Sequence, residues 1–142
     1  MSNHSADAVS FGEHVAGYLD RAGQGTLQEN IFCQARPDEP DALLVVTDTG
    51  ASPPDPHCPL EERTVQVLAR AASGDGALQR LSLVVGIFLA DDGCPVTNFY
   101  LDEEGYIWVN IVQPLGLPAL LGLDEKGRAL ASVNFQFEIR RR

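Results

Sequence analysis

Thr64-Val65-Gln66-Val67-Leu68-Ala69-Arg70 and, near the far end of the chain, Ala131-Ser132-Val133-Asn134-Phe135-Gln136-Phe137-Glu138-Ile139-Arg140-Arg141 decide the fold class. In the first stretch Val65, Val67 and Ala69 alternate against Thr64, Gln66 and Arg70. In the second, Val133, Phe135, Phe137 and Ile139 alternate against Asn134, Gln136, Glu138 and Arg140. Successive side chains of a strand point to opposite faces, so both stretches read as half-buried strands with one apolar face turned to a core.

Two further strands lie outward from these. Ala42 to Asp48 contains Leu43-Leu44-Val45-Val46, apolar on both faces and therefore sheltered on both. Gly105 to Gln113 places Ile107, Val109 and Ile111 on one face and Tyr106, Trp108 and Val112 on the other.

Helices fill the gaps. Ser10 and Glu13 have capping-box spacing, with Val9 just before the cap. Phe11, Val15, Tyr18, Leu19 and Ala22 then recur on one helical face until Gly23-Gln24-Gly25 stops the run. In a second helix Leu78, Leu81, Val84, Val85, Phe88 and Leu89 form the apolar face. Ser73 or Asp75 caps its start and Asp91-Asp92-Gly93 ends it. Helix, strand, strand, helix, strand, strand is an α+β order. The expectation is one domain over residues 1–142: an antiparallel, mostly four-stranded sheet with two helices packed on one face.

Three long loops remain. Thr49 to Arg63 holds Pro53, Pro54, Pro56 and Pro59; Asp91 to Glu104 comes after the second helix; Pro114 to Gly127 holds Pro114 and Pro118. Loops of this length in a small domain are functional or partly disordered. The first and third are expected to be mobile alone and ordered on assembly.

Twenty acidic residues against ten basic ones give a formal charge of −10, and Lys126 is the only lysine. Such a chain repels polyphosphate, so a DNA-gripping surface is not expected. The acidity either keeps a small protein soluble or forms a smooth negative wall past which DNA slides, and charge alone does not separate the two. Cys33, Cys58 and Cys94 are odd in number and scattered, unlike a secreted disulfide framework. Met1-Ser2-Asn3-His4-Ser5 lacks the regions of a signal peptide, and Leu81 to Ala90, the longest apolar stretch, is too short to cross a bilayer. These features lead us to expect a soluble protein made in a reducing cytoplasm, without membrane contact.

The chain holds little that is suited to chemistry. Cys33, His57, Cys58 and Cys94 show no CxxC or HxxxH spacing; a zinc site would need the fold to bring them together, against the simpler reading of buried or incidental thiols. His57 and Cys58 are neighbours on an extended segment and point apart, which does not suit a nucleophile–base pair. Asp91-Asp92 and Asp102-Glu103-Glu104 would need burial in an apolar pocket to act as acid and base. Beside Gly93 and Gly105 they read as solvated turns, and neither has the ligand spacing of a calcium loop. A glycine-rich phosphate loop and a Gly-x-Ser-x-Gly are absent from the sequence. Asp124-Glu125-Lys126-Gly127-Arg128 is a hairpin turn. Arg140-Arg141-Arg142 pairs with an acidic neighbouring subunit or is a solvated tail, with DNA contact a third reading. No catalytic, cofactor-binding or metal-binding residue is assigned, and the chain is not expected to be an enzyme.

Order and spacing do carry a resemblance. It rests on the N-terminal helix followed by Gly25-Thr26 and Asn30-Ile31-Phe32, then on the Pro37-Asp38-Glu39-Pro40 lead into Leu43-Leu44-Val45-Val46. Val65-Gln66-Val67-Leu68-Ala69-Arg70 before the second helix adds to it. So does Gln113-Pro114, followed by Leu121-Gly122-Leu123-Asp124-Glu125-Lys126-Gly127-Arg128 and Ser132-Val133-Asn134-Phe135-Gln136-Phe137. This arrangement is similar to the phage minor capsid or tail-terminator proteins of long-tailed, siphovirus-like phages. It departs from them at Asp48-Thr49-Gly50-Ala51, where relatives often show paired glycines.

The resemblance implies a virion structural protein of the tail or neck that assembles as a homo-oligomeric ring, usually a hexamer, on the end of the tail tube. There it would stop polymerisation of the major tail-tube protein and present a surface to the head–tail connector, while double-stranded DNA passes through without specific binding. Two alternatives stand beside it: a head-completion or neck protein, and a small cytosolic enzyme using Asp91, Asp92, Asp102 and Glu103. A toxin-like or regulatory binding module is a third.

Overall fold

The computed structural model describes residues 10–52, 59–90 and 92–141. Expectations attached to Met1–Ser5, Val9, Pro53, Pro54, Pro56, His57, Cys58, Asp91 and Arg142 lie outside the described residues. In chain order the elements are α1 (Phe11–Arg21), β1 (Ile31–Cys33), β2 (Leu43–Ser52), β3 (Glu61–Ala71), α2 (Gly74–Ile87), β4 (Thr97–Tyr100), β5 (Ile107–Pro114), β6 (Ala119–Leu123) and β7 (Ala129–Arg141). The class is α+β, with seven strands where four are legible in the sequence.

The strands make one sheet in the order β1-β2-β3-β7-β5-β4, with β6 also paired to β7. Only β1 and β2 run parallel; the other pairs are antiparallel. The longest strand, β7, organises the sheet. Its alternating face lets it pair with β3 from Ala129 to Ile139 on one side. On the other side it serves two strands in succession, β6 against Ala129–Ser132 and β5 against Phe135–Arg141.

Both helices contribute to a single apolar cluster on one sheet face. Phe11, Val15, Ala16 and Leu19 come from α1, Ala77, Leu81 and Val84 from α2, and Phe88 from the C-cap of α2. The Phe88 ring sits 5.1 Å from that of Phe135 and 5.5 Å from that of Phe137, both edge-on, and Phe11 meets Phe137 at 5.1 Å. Edge-to-face packing of this kind adds about 0.5–1.5 kcal/mol per pair beyond the area buried.

Caps form where the spacing places them. Ser10 Oγ accepts from the Glu13 amide at 3.2 Å. At α2 the cap is Ser73, whose Oγ accepts from the Gly76 amide at 3.1 Å, and Asp75 lies in the first turn. Two helical positions differ from expectation. Ala22 is the exposed C-cap of α1, its place in the core taken by Ala16. The second helix ends at Ile87, before Asp91-Asp92-Gly93, with Phe88 as its C-cap and Leu89 bridged to Pro95.

One strand face must also be corrected. Val109 pairs with Ile139 but Ile111 pairs with Glu138, so Asn110 is an extra residue in β5. This bulge reverses the facing of the residues beyond it. Val112 is fully buried and Ile111 only half-buried, the opposite of simple alternation.

The expected loops are partly strand. The β2–β3 hairpin continues through Ser52 and resumes at Glu61. β4 lies within the segment after α2, and β6 within Pro114 to Gly127. The Gly25-Thr26 and Asn30-Ile31 motif is a tight corner. A side chain at position 25 would meet Asn30 Oδ1 at 2.6 Å, and that same oxygen accepts from the Thr26 amide at 2.7 Å.

Candidate assembly surfaces

Of the carboxylates weighed for chemistry, Asp92 and Asp102 hold turns. Asp102 is not solvated but 7% exposed. Its Oδ1 accepts from the Ile107 amide at 2.9 Å, and both its oxygens accept from Tyr106, at 3.0 and 3.1 Å. These bonds bind the carboxylate into the start of β5. Asp92 Oδ1 accepts from the Cys94 amide at 3.0 Å, a turn contact. Glu103 is exposed and lies 3.9 Å from Arg21. Arg21 in turn donates to the Leu101 oxygen at 2.5 Å, fastening this corner to the end of α1.

Cys33 and Cys94 are free thiols. Burial pushes the Cys33 thiol up, a trend that its contact with the Ser10 hydroxyl opposes and the nearby Asp48 and Glu13 carboxylates reinforce. Among the described residues no group of three or more His, Cys, Asp or Glu side chains is placed to hold a metal ion.

A polar cluster that sequence reading missed lies at the β6–β7 turn. Asp124 closes that turn by accepting from the Lys126 and Arg128 amides at 3.0 and 2.9 Å, with Gly127 at φ 78°. The Arg128 side chain donates from Nε to Asp124 at 2.8 Å and from Nη1 to the Asp38 main-chain oxygen and Asp41 Oδ1, at 2.7 and 3.0 Å. Arg70 donates to the main-chain oxygens of Asp38, Pro40 and Asp41, at 3.1, 2.6 and 3.0 Å. Arg36, Asp38, Arg70, Asp124, Glu125, Lys126 and Arg128 surround a pocket of about 180 Å³. Lys126 and Arg128 pair with Asp38 and Asp124 while Arg70 binds main-chain oxygens, so the cluster works as a clamp on the loop before β2. The only signal in the sequence is the isolated Arg128 after a turn glycine, which composition reads as turn chemistry.

Among the described residues, two parts of the sheet are left uncovered. The sheet face away from the helices carries Thr64, Gln66, Asn134, Gln136, Glu138 and Arg140 outward, as the alternation predicts. At its end Tyr100, Trp108 and Arg140 occupy neighbouring strands in one row, with Tyr100 and Trp108 in edge contact at 5.4 Å. Arg140 and Arg141 belong to β7, so the chain end up to Arg141 is not a tail. Arg141 pairs with Glu61 of the same chain at 3.1 Å.

The second surface is β6. All five of its residues are exposed. Leu115 (53%), Leu117 (89%), Leu120 (54%), Leu121 (55%) and Leu123 (70%) form an apolar rim along 115–123, a segment with no charged residue. Exposed apolar surface concentrated in this way marks an interaction site.

A family model described as "Bacteriophage tail terminator protein" matches residues 18–141. No curated protein matches the chain. The matched region runs from the last turns of α1 through β7 and so takes in the whole sheet, both open surfaces and the clamp. The chain belongs to the bacteriophage tail terminator family, a structural family of the virion tail.

Proposed function

We propose that this protein closes the tail: it assembles as a ring, six-fold in the usual form of such assemblies, on the growing end of the tail tube. There it halts addition of the major tail-tube protein and offers the head connector a docking surface. The observation that carries this reading is the family match across residues 18–141. The sheet is compatible with it. One end is the three-residue strand β1 and the other is formed by β4 and β6, so contacts between its two ends are heterologous and a closed rotation turns them into a ring. A charge of −10 would let DNA pass through the ring without adhering.

A tube end is a self-similar surface that keeps adding rings until one with a different outer face blocks it. A phage lacking the protein should therefore make normal heads and tail tubes that overrun their proper length, and the two should fail to join. Electron microscopy of the lysate reads both. Tails of normal length that stay unattached would indicate a neck or head-completion role instead, and intact virions would overturn the proposal altogether.

A further inference from the structure

We infer that the leucine rim of β6 is the contact between neighbouring copies of this chain; this rests on the ring reading above. The rim is Leu115, Leu117, Leu120, Leu121 and Leu123, each more than half exposed. It borders the sheet on the side of β7 opposite β3, and among the described residues β6 pairs with no strand but β7. Water-exposed leucines at such density are costly unless covered in the working state of the protein.

Charge decides the occupant. Each copy carries −10, so two copies repel on net charge, and a strip free of acidic groups is a surface across which they meet without that penalty. Residues 115–123 are such a strip, built of Leu, Gly, Pro and Ala alone. Interfaces between identical subunits are also more apolar than those with transient partners. A partner chosen by charge would find nothing to read here.

The edge is shaped against two-fold self-pairing. Leu120 pairs with Ala131 but Gly122 with Leu130, leaving Leu121 as a bulged residue, and Gly122 takes φ 123°. A bulge with this backbone bends the edge and interrupts a continuous ladder with a second β6. The leucine side chains therefore pack head to tail, on a different surface of the next copy. Leu120 lies over Gly74 at the start of α2, close enough that a Cβ added there would meet its methyl group at 3.3 Å.

Photo-crosslinking tests this on the full chain bound to purified tail tubes. A benzophenone amino acid is placed at position 117 or, separately, at 121, and the products are mapped by mass spectrometry. The expected product joins two copies of this chain, with the second peptide outside 115–123. Crosslinks only to the tube protein or connector, crosslinks between two 115–123 segments, or no interchain product would each overturn the inference. With the probe at 117, the double variant Leu121→Asp, Leu123→Asp should lower the homo-crosslink at least tenfold while its melting temperature stays that of the parent. An unchanged yield would also overturn it. Homo-crosslinks found in a protein whose deletion leaves tails normal would instead break the terminator reading and leave the interface standing.

Discussion

Arg128 Nη1 donates to the main-chain oxygen of Asp38 at 2.7 Å, and Arg70 Nη2 donates to that same oxygen at 3.1 Å. Two buried guanidinium groups, one from the turn just before β7 and one from β3, thus hold the loop that leads into β2. Leu43 and its cross-strand partner Arg70 share the sheet face away from the helices, and both are buried. The apolar run Leu43-Leu44-Val45-Val46 is sheltered on both faces for this reason.

Acid should loosen this corner. The hydrogen bond from Lys126, helped by Arg128, holds the Asp38 carboxyl below its ordinary value of 3.8. At Asp124 burial pushes upward, but hydrogen bonds from Arg128 and the Lys126 amide outweigh it and hold it below 3.8 as well. A carboxylate depressed in the folded state stabilises fully above its unfolded value, and that contribution is lost as pH falls through the folded value. Thermal melts from about pH 6 to about pH 2.5 should therefore fall more steeply for the parent than for the Asp38→Asn, Asp124→Asn variant. Parallel curves would contradict this account.

Arg70→Ala should cost about 2–4 kcal/mol, because it leaves the Pro40 and Asp41 oxygens without their donor. Arg36→Ala, at an exposed position on the same pocket, should change stability by less than about 0.5 kcal/mol. Urea denaturation measures both, and equal small effects would show that the clamp bears no weight.

Phe135→Ala and Phe137→Ala should each cost about 3–5 kcal/mol, since both side chains are fully buried against Phe88. Gln136→Ala, between them on the open face, should cost no more than about 0.5 kcal/mol. Comparable losses at 135, 136 and 137 would mean that the facing of β7 is wrong.

The bulge at Asn110 makes an unequal pair of its two neighbours. Val112→Ala should cost about 2 kcal/mol and Ile111→Ala less than about 1 kcal/mol, although isoleucine is the larger side chain. The reverse order in denaturation would restore uninterrupted alternation through β5.

Elements with a strong period were legible residue by residue. The alternation of β3 and β7 named their buried residues, and the Ser10 and Ser73 caps marked two helix starts, because capping and pleating are local rules that a short window contains. β1 and β4 escaped notice because strands of three and four residues hold too few positions to show a period. β6 escaped for another reason: Ala-Leu-Leu-Gly-Leu does not alternate apolar with polar residues, and all five of its positions are exposed.

By itself, then, the sequence determined the α+β class, the core faces of the two long strands, both helices and a likeness to tail terminators, all from patterns that neighbouring residues impose on one another. Only the tertiary structure decided that Asp102 is a buried turn anchor, that Arg128 grips Asp38 across the sheet, and that the leucines of 115–123 stand in water. Each depends on which distant segment the fold places alongside: an amide, a carbonyl or, for the leucines, nothing among the described residues to cover them. Where no local period announces it, burial depends on neighbours in space, which the chain order does not contain.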